Sequence, residues 1–372
     1  MGPVAAQPRR WTRRSVLAFF AASGFASERG KGVLFGSDFG RFPDPATELE
    51  VTRLTNPAYA THLPAYYQRA LARKGQFLLC WSDRTGSPQA FRLNLKSGEW
   101  LQLTDAAALD GSSLALTGDE RGFCYFDGPS LKRSDFSRFR EREIYRVPDG
   151  WQRSAGSSVT EDGLYAVFAE CRGDNSRLQL VSLAKGGIST LAETAWPITD
   201  PVARPRRTQI LYRQESSALW LVNFDGQQNR KLKLNPGPVG PARWAPDGRT
   251  ILYLHFPEEK TQLNTIREHT PDANQDQLVA KTSQFVQFDA NRDTSVFVGA
   301  SRNKASPHIL LLLRTTGREL TLCEHRASDP AAVAPVFSPD SQLVYFHSDR
   351  EGKPAIYRIR VERFVEKTEP EE

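Results

Sequence analysis

Cysteine, histidine and long apolar runs are all scarce in this 372-residue chain, and each scarcity excludes a class of protein. Cys80, Cys124, Cys171 and Cys323 stand far apart with no C-x-x-C spacing, which argues against a metal knuckle. Each falls in or beside an apolar strand and reads as a buried, unpaired thiol. Six histidines leave few imidazoles for a metal centre. The apolar run at 16–22 is well short of the roughly 20 residues a membrane span requires. No long amphipathic helix pattern occurs. A Gly-rich phosphate loop, a nucleophile elbow and a Ser-His-Asp signature are absent too. Net charge is also modest: four of the formal +6 are Arg9, Arg10, Arg13 and Arg14, so the chain beyond Ala26 carries only the other +2. Nucleic-acid binding thereby loses its compositional support.

Short strands and turns fill the chain instead. Across 77–104 an apolar run ends in Ser-Asp, a tight Arg-Thr-Gly-Ser turn follows, and two further strands alternate apolar with polar residues. The same pattern recurs at 343–359. Counterpart strands begin near Phe77, Gly122, Leu164, Thr208, Ile251, Ser295 and Leu343, in steps of 42 to 48 residues. A period of about 40–45 with four strands per unit marks a β-propeller blade. The Pro-Asp-Gly and Pro-Asp-Ser pieces at 246–248 and 339–341 are turn punctuation, since Pro presets φ and Asp accepts backbone hydrogen bonds.

The expected fold is therefore all-β: a seven-bladed β-propeller of four-stranded antiparallel blades. The seventh blade supplies only three strands of its own, and the lone strand at 50–55 completes it by pairing with 356–361. Such closure removes free sheet edges. The chain divides into an export signal at 1–26, a loop-rich lead-in at 27–48 that Pro43 and Pro45 keep irregular, the propeller at 49–364, and an acidic tail at 365–372. The signal is of twin-arginine type: Thr-Arg-Arg-Ser-Val-Leu at 12–17 precedes the short apolar run and small residues up to Ala26. It places the protein in the periplasm or outside the cell, with no membrane span beyond the signal.

The Trp-Ala-Pro-Asp-Gly stretch at 244–248, Phe-Ser-Pro-Asp at 337–340 and the two Ser-Asp-Arg stretches resemble the repeats of TolB-like propellers. The order of elements from Asp38 onward is similar to that of the oligogalacturonate lyases. The likeness is clearest at 51–55, 61–69, 82–104 and 336–359. It implies β-elimination on short pectate fragments, which needs a base and a positive group for the enolate charge. It also implies a manganese ion held largely by histidines. The family pattern carries a His ahead of Trp-x-Pro-Asp-Gly, where this chain reads Gly240, Pro241, Ala242 and Arg243. Another His opens its sixth blade, where Thr282, Ser283, Gln284 and Phe285 stand here. A Gln and a His-Pro-His run precede its last blade, against Asp329, Pro330, Ala331, Ala332, Val333, Ala334 and Pro335. Alanine ligates no metal, so no metal ligand is expected.

His62, Tyr66, Tyr67 and Arg69 group aromatic faces with a guanidinium, a combination suited to a sugar carrying a carboxylate. Arg243, with Arg204, Arg206 and Arg207, is expected to add an anionic pocket. His255 and His347 read as strand-end residues satisfied by backbone, His308 and His325 as surface residues, and His269 as part of a corner. No residue is assigned a catalytic role. The expected function is a metal-free binding member for an anionic saccharide or a protein partner. The alternative is an active lyase with Arg243 or Asp329 in new roles. Export supplies a test: changing Arg13 and Arg14 together to Lys keeps the charge but abolishes twin-arginine transport, whereas unchanged export indicates the general secretory route.

Overall fold

In the computed structural model, residues 2, 30–214, 218–259 and 261–369 are described; the expected export signal at 1–26 lies almost wholly outside them. Seven antiparallel sheets form among the described residues, five of four strands and two of five. Each blade starts with an inner strand at the central channel and steps outward. Blade 2 runs Leu109–Leu116, Gly122–Asp127, Ser130–Asp135 and Glu141–Arg146. Blades 3 to 6 follow the same order, with inner strands Gln152–Val159, Ile198–Ala203, Val239–Trp244 and Phe285–Ala290. Packing lies between neighbouring blades rather than within one. Val298, Ile309 and Leu311 of blade 6, for example, meet Val344, Phe346 and Tyr357 of blade 7 in one buried cluster. Among the described residues no helix is long and apolar enough to cross a membrane.

Closure follows the expected pairing. Glu50–Arg53 joins Ala355–Arg360 with Val51 opposite Ile359, and Leu54 N–H donates to the Ile356 carbonyl at 2.8 Å. The lead-in departs from expectation. Leu34–Phe35 adds a fifth strand to blade 1, and Gly40–Pro43 adds one to blade 7. Pro43 is compatible with this because it ends an outermost strand, where a missing N–H costs no rung of the ladder. The tail is not wholly free of the propeller either. Val365 is buried in the blade 6–blade 7 cluster, and Thr368 N–H donates to Asp340 O at 3.2 Å.

Two histidine expectations are corrected. His269 lies inside the strand Thr265–Thr270 of blade 5 and is wholly buried; the turn begins only at Pro271. His325 is buried, not superficial: its Nε2 meets the Ser301 carbonyl at 2.9 Å and its Nδ1 accepts from Ala327 N–H. Cys80, Cys124 and Cys323 are buried free thiols as expected, while Cys171 is only partly covered.

Ring closure depends on the segment ending at Thr55. Val51 and Leu54 are fully buried. Deleting residues through Thr55 forfeits about 1.5–3 kcal/mol for each, so Tm should fall by at least roughly 5 °C. An unchanged Tm rules the closure out.

Candidate binding site

The inner strands begin at one face of the ring, here the leading face, and end at the other, the trailing face, in turns to the second strands. In blades 1 to 6 the inner strand slips in register against its neighbour. Such bulges re-aim side chains and end pairing locally. Blade 1 has the largest. Its bridges run from His62–Trp81 to Leu71–Leu78, so nine residues advance on the inner side against three on the other. That surplus of six lets the intervening residues, 63–70, loop into the channel.

Contacts tether this loop around the ring. Ala65 N–H donates to Ser112 O of blade 2 at 3.1 Å, and Gln68 Nε2 donates to Ser157 O of blade 3 at 2.6 Å. The Tyr67 hydroxyl donates to Asp200 Oδ1 of blade 4 at 3.3 Å. The Tyr66 hydroxyl donates to Ala242 O and accepts from Ala242 N–H of blade 5, at 3.0 and 3.1 Å. Leu63 N–H donates to His347 Nε2 of blade 7 at 2.7 Å. Arg243 bridges to blade 6: it donates to Tyr66 O at 2.8 Å, forms an ion pair with Asp289, and lies over the Tyr66 and Phe288 rings. Gly156, at φ +85°, makes room for the Tyr67 crossing, since a Cβ there would stand 2.6 Å from the Tyr67 oxygen.

Beside the loop lies a cavity of about 410 Å³, within the size range of ligand pockets. Tyr66, Tyr67, Arg69 and Arg243 all line it. Its far wall is made of the ends of the inner strands and their turns, including Thr160, Glu161, Pro246 and Arg292, so it opens toward the trailing face. Burial drives the electrostatics. It pushes the Tyr66 hydroxyl up, with Asp200 adding to the rise, and lifts Tyr67 further for the same two reasons. The Asp200 carboxyl is raised by burial, with Arg213 opposing. The Arg243 guanidinium is pulled down to about 10 by burial, and its Nε is buried without an acceptor.

His62 does not join this group. Its ring stacks on Trp81 at 4.5 Å and faces His347 at 5.4 Å, away from the cavity lining. The expected grouping of Arg243 with Arg204, Arg206 and Arg207 is divided: Arg243 lines the cavity, and the other three line an adjoining depression. Arg204 is buried over Trp244, donating to Gly248 O and pairing with Asp272, and so serves the turn packing. Sequence reasoning missed Asp200, Asp289, Arg73 and Arg292. The usable signal was length: residues 63–70 are too many for the two strands they separate.

The donor set for a metal is thin. Among the described residues no group of three or more His, Cys, Asp or Glu is placed to hold an ion. Both ring nitrogens of His347 are engaged with backbone, Nε2 with Leu63 N–H and Nδ1 with Ala332 O at 3.2 Å. Asp329 caps the short helix Pro330–Ala332 by accepting from Ala331 N–H. The residues present do not fit a manganese centre.

Comparison with known proteins places this frame. Residues 28–178 match the family model described as oligogalacturonate lyase. An oligogalacturonide lyase of Pectobacterium atrosepticum is 25% identical over 382 residues, covering 89% of this chain and 98% of its own. An oligogalacturonate lyase of Dickeya dadantii is 24% identical with the same coverage. Among solved structures, an oligogalacturonate lyase from Vibrio parahaemolyticus superposes with a TM-score of 0.84 at 25% identity, over 89% of this chain and 98% of that one. One in complex with manganese shares the fold at a TM-score of 0.85 and 23% identity, over 90% and 98%. The chain is therefore similar to oligogalacturonate lyases over residues 28–178 by family model and over nearly its whole length by sequence and fold.

Proposed function

We propose that this protein is a binding member of the oligogalacturonate lyase family that takes an anionic saccharide of pectate type in the channel cavity, without the manganese site. One observation carries the reading: where the family pattern has imidazoles, this chain has Pro241, Ala332 and Ala334, and the backbone beside them is employed in closing the channel. Arg213 donates to Val239 O and Gly240 O at 2.9 and 2.7 Å, Tyr66 clamps both polar groups of Ala242, and His347 engages Ala332 O. Arg243 and Asp329, the residues a rearranged lyase would use, already hold Asp289 and a helix cap. We take the protein to act in the periplasm or outside the cell.

The cavity's chemistry supports an acidic sugar. Tyr66 and Tyr67 meet edge to face at 4.9 Å and offer apolar ring surface, while Arg69, Arg73, Arg243 and Arg292 outnumber Glu161 and Asp289 on its walls. A guanidinium takes a carboxylate through two parallel N–H donors. In Arg69 one nitrogen already donates to Thr117 O at 2.6 Å, with Glu120 at 3.3 Å from another.

Calorimetry with trigalacturonate should show saturable binding, weakened roughly tenfold or more by Arg69→Gln. Purified protein should carry negligible manganese, and trigalacturonate should give no rise in unsaturated-uronate absorbance. Stoichiometric metal, or metal-dependent turnover, overturns the reading in favour of a rearranged lyase.

Acid stability tests the role assigned to His347. Burial, with His62 adding, lowers its folded-state pKa to about 3 from 6.5. The unfolded chain therefore binds the proton first as pH falls, and this contribution to stability, full above about pH 6.5, is lost toward pH 3. The loss reaches about 2–3 kcal/mol by about pH 4.5. Urea unfolding of His347→Gln should show a shallower acid loss than the parent; an identical slope contradicts the assignment.

A further inference from the structure

We propose that the saccharide site continues out of the channel across the trailing face of blade 4, as a groove for a ligand carrying several carboxylates. The extension rests on the reading of the channel cavity as a saccharide site. Three depressions of about 400 to 410 Å³ adjoin one another there. The channel cavity shares Arg73 and Glu161 with the second depression. The second shares Arg206 and Arg207 with the third, which runs on to Gln209, Asn223 and Gln228.

Charge along this path is mixed but cationic in balance. Arg73, Arg206 and Arg207 face Glu161 and Asp162, and Arg292 stands at the cavity end. Arg204 also lines the path, but its guanidinium is spent on Gly248 O and Asp272. Arg207 is exposed and stands 3.9 Å from the exposed Asp272, a separation at which water screens the pair. Arg292 and Arg206 are near enough to act on each other: burial lowers the Arg292 guanidinium, and Arg206 lowers it further.

The ligand class follows from what the groove offers at each step. Guanidinium groups recur from the channel to the rim, which matches a chain whose carboxylates recur along it. Amide side chains at the outer end offer both donors and acceptors, which suits hydroxyl groups. A single-stranded nucleic acid is the other polyanion to weigh. It requires aromatic platforms on which successive bases stack, and Phe224 is the one aromatic on the walls of the two outer depressions. The groove therefore favours an oligomeric uronate.

The full chain is titrated by calorimetry with mono-, di-, tri- and hexagalacturonate, in parallel with a double variant, Arg206→Asn and Arg207→Gln. Asn is chosen because Arg206 sits at φ +58°, a conformation Asn tolerates. In the parent, affinity should rise with length beyond the dimer. In the variant that gain should shrink about three- to thirtyfold with monomer and dimer unaffected, and raised ionic strength should narrow the difference between the two proteins. A variant that keeps the full gain with length, at an unchanged Tm, overturns the groove and leaves the channel site standing. A parent that binds no galacturonate of any length overturns the channel reading, and the groove with it.

Discussion

Residues 63–70 loop into the channel of this propeller outside any regular ladder, and the hydrogen bonds that hold them are what the rest of the site depends on. A buried backbone must find partners for its N–H and C=O groups. Here Ser112 and His347 accept the Ala65 and Leu63 N–H groups and Arg243 donates to the Tyr66 carbonyl, while the side chains of Tyr66, Tyr67 and Gln68 reach Ala242, Asp200 and Ser157. Each bond contributes only about 0.5–1.5 kcal/mol net, but leaving one of these groups buried and unpaired costs about 1–3 kcal/mol. The loop is consequently fixed in one arrangement. It fills the channel on one side and leaves the cavity on the other.

Arg243 carries the other half of that constraint. Its ion pair with Asp289 joins blades 5 and 6 beneath the loop, while its N–H to Tyr66 O and its position over the Tyr66 ring fasten the loop to both. A buried ion pair is costly to desolvate and is weak support for stability by itself. Its value here is positional. It keeps a guanidinium deep in the channel with Nε still lacking an acceptor, next to two tyrosines whose hydroxyls burial keeps protonated. The cavity is thus polarised toward an anion while its ring surfaces remain apolar, the combination an acidic pyranose presents in reverse.

Much of the fold was legible in the chain because its determinants are local. The turn at Asp247 and Gly248 forms as the residues dictate, with Gly248 at φ +68° and Arg249 N–H on Asp247 Oδ1. Repeated at a steady spacing, such turns set the blade count, and the orphan strand at Glu50–Arg53 required a partner at the other end of the chain. The lead-in was harder to read. Leu34–Phe35 and Gly40–Pro43 are short, and they pair only because Trp100–Gln102 and Glu50–Arg53 present open edges. In the site, Tyr66, Tyr67, Arg69 and Arg243 were legible as a chemical type, but not the face on which they meet. That face is set by the six-residue surplus in blade 1 and by contacts to strands far away in sequence. His62 is adjacent to the loop in the chain yet stacks on Trp81, because it lies before the bulge, where the ladder is still regular. Asp200 and Asp289 carry no local signal at all; their importance appears only when the loop is laid across blades 4 and 6.

Crystals of the protein grown with trigalacturonate and manganese test the central claim most directly, with anomalous scattering recorded at the manganese edge. The account predicts sugar density between Tyr67, Arg69 and Arg243 on the trailing side of the loop, and no anomalous peak near Gly240, Gln284 or Ala332. A manganese peak at the leading face, with the sugar beside it and the trailing cavity filled by solvent, would contradict it.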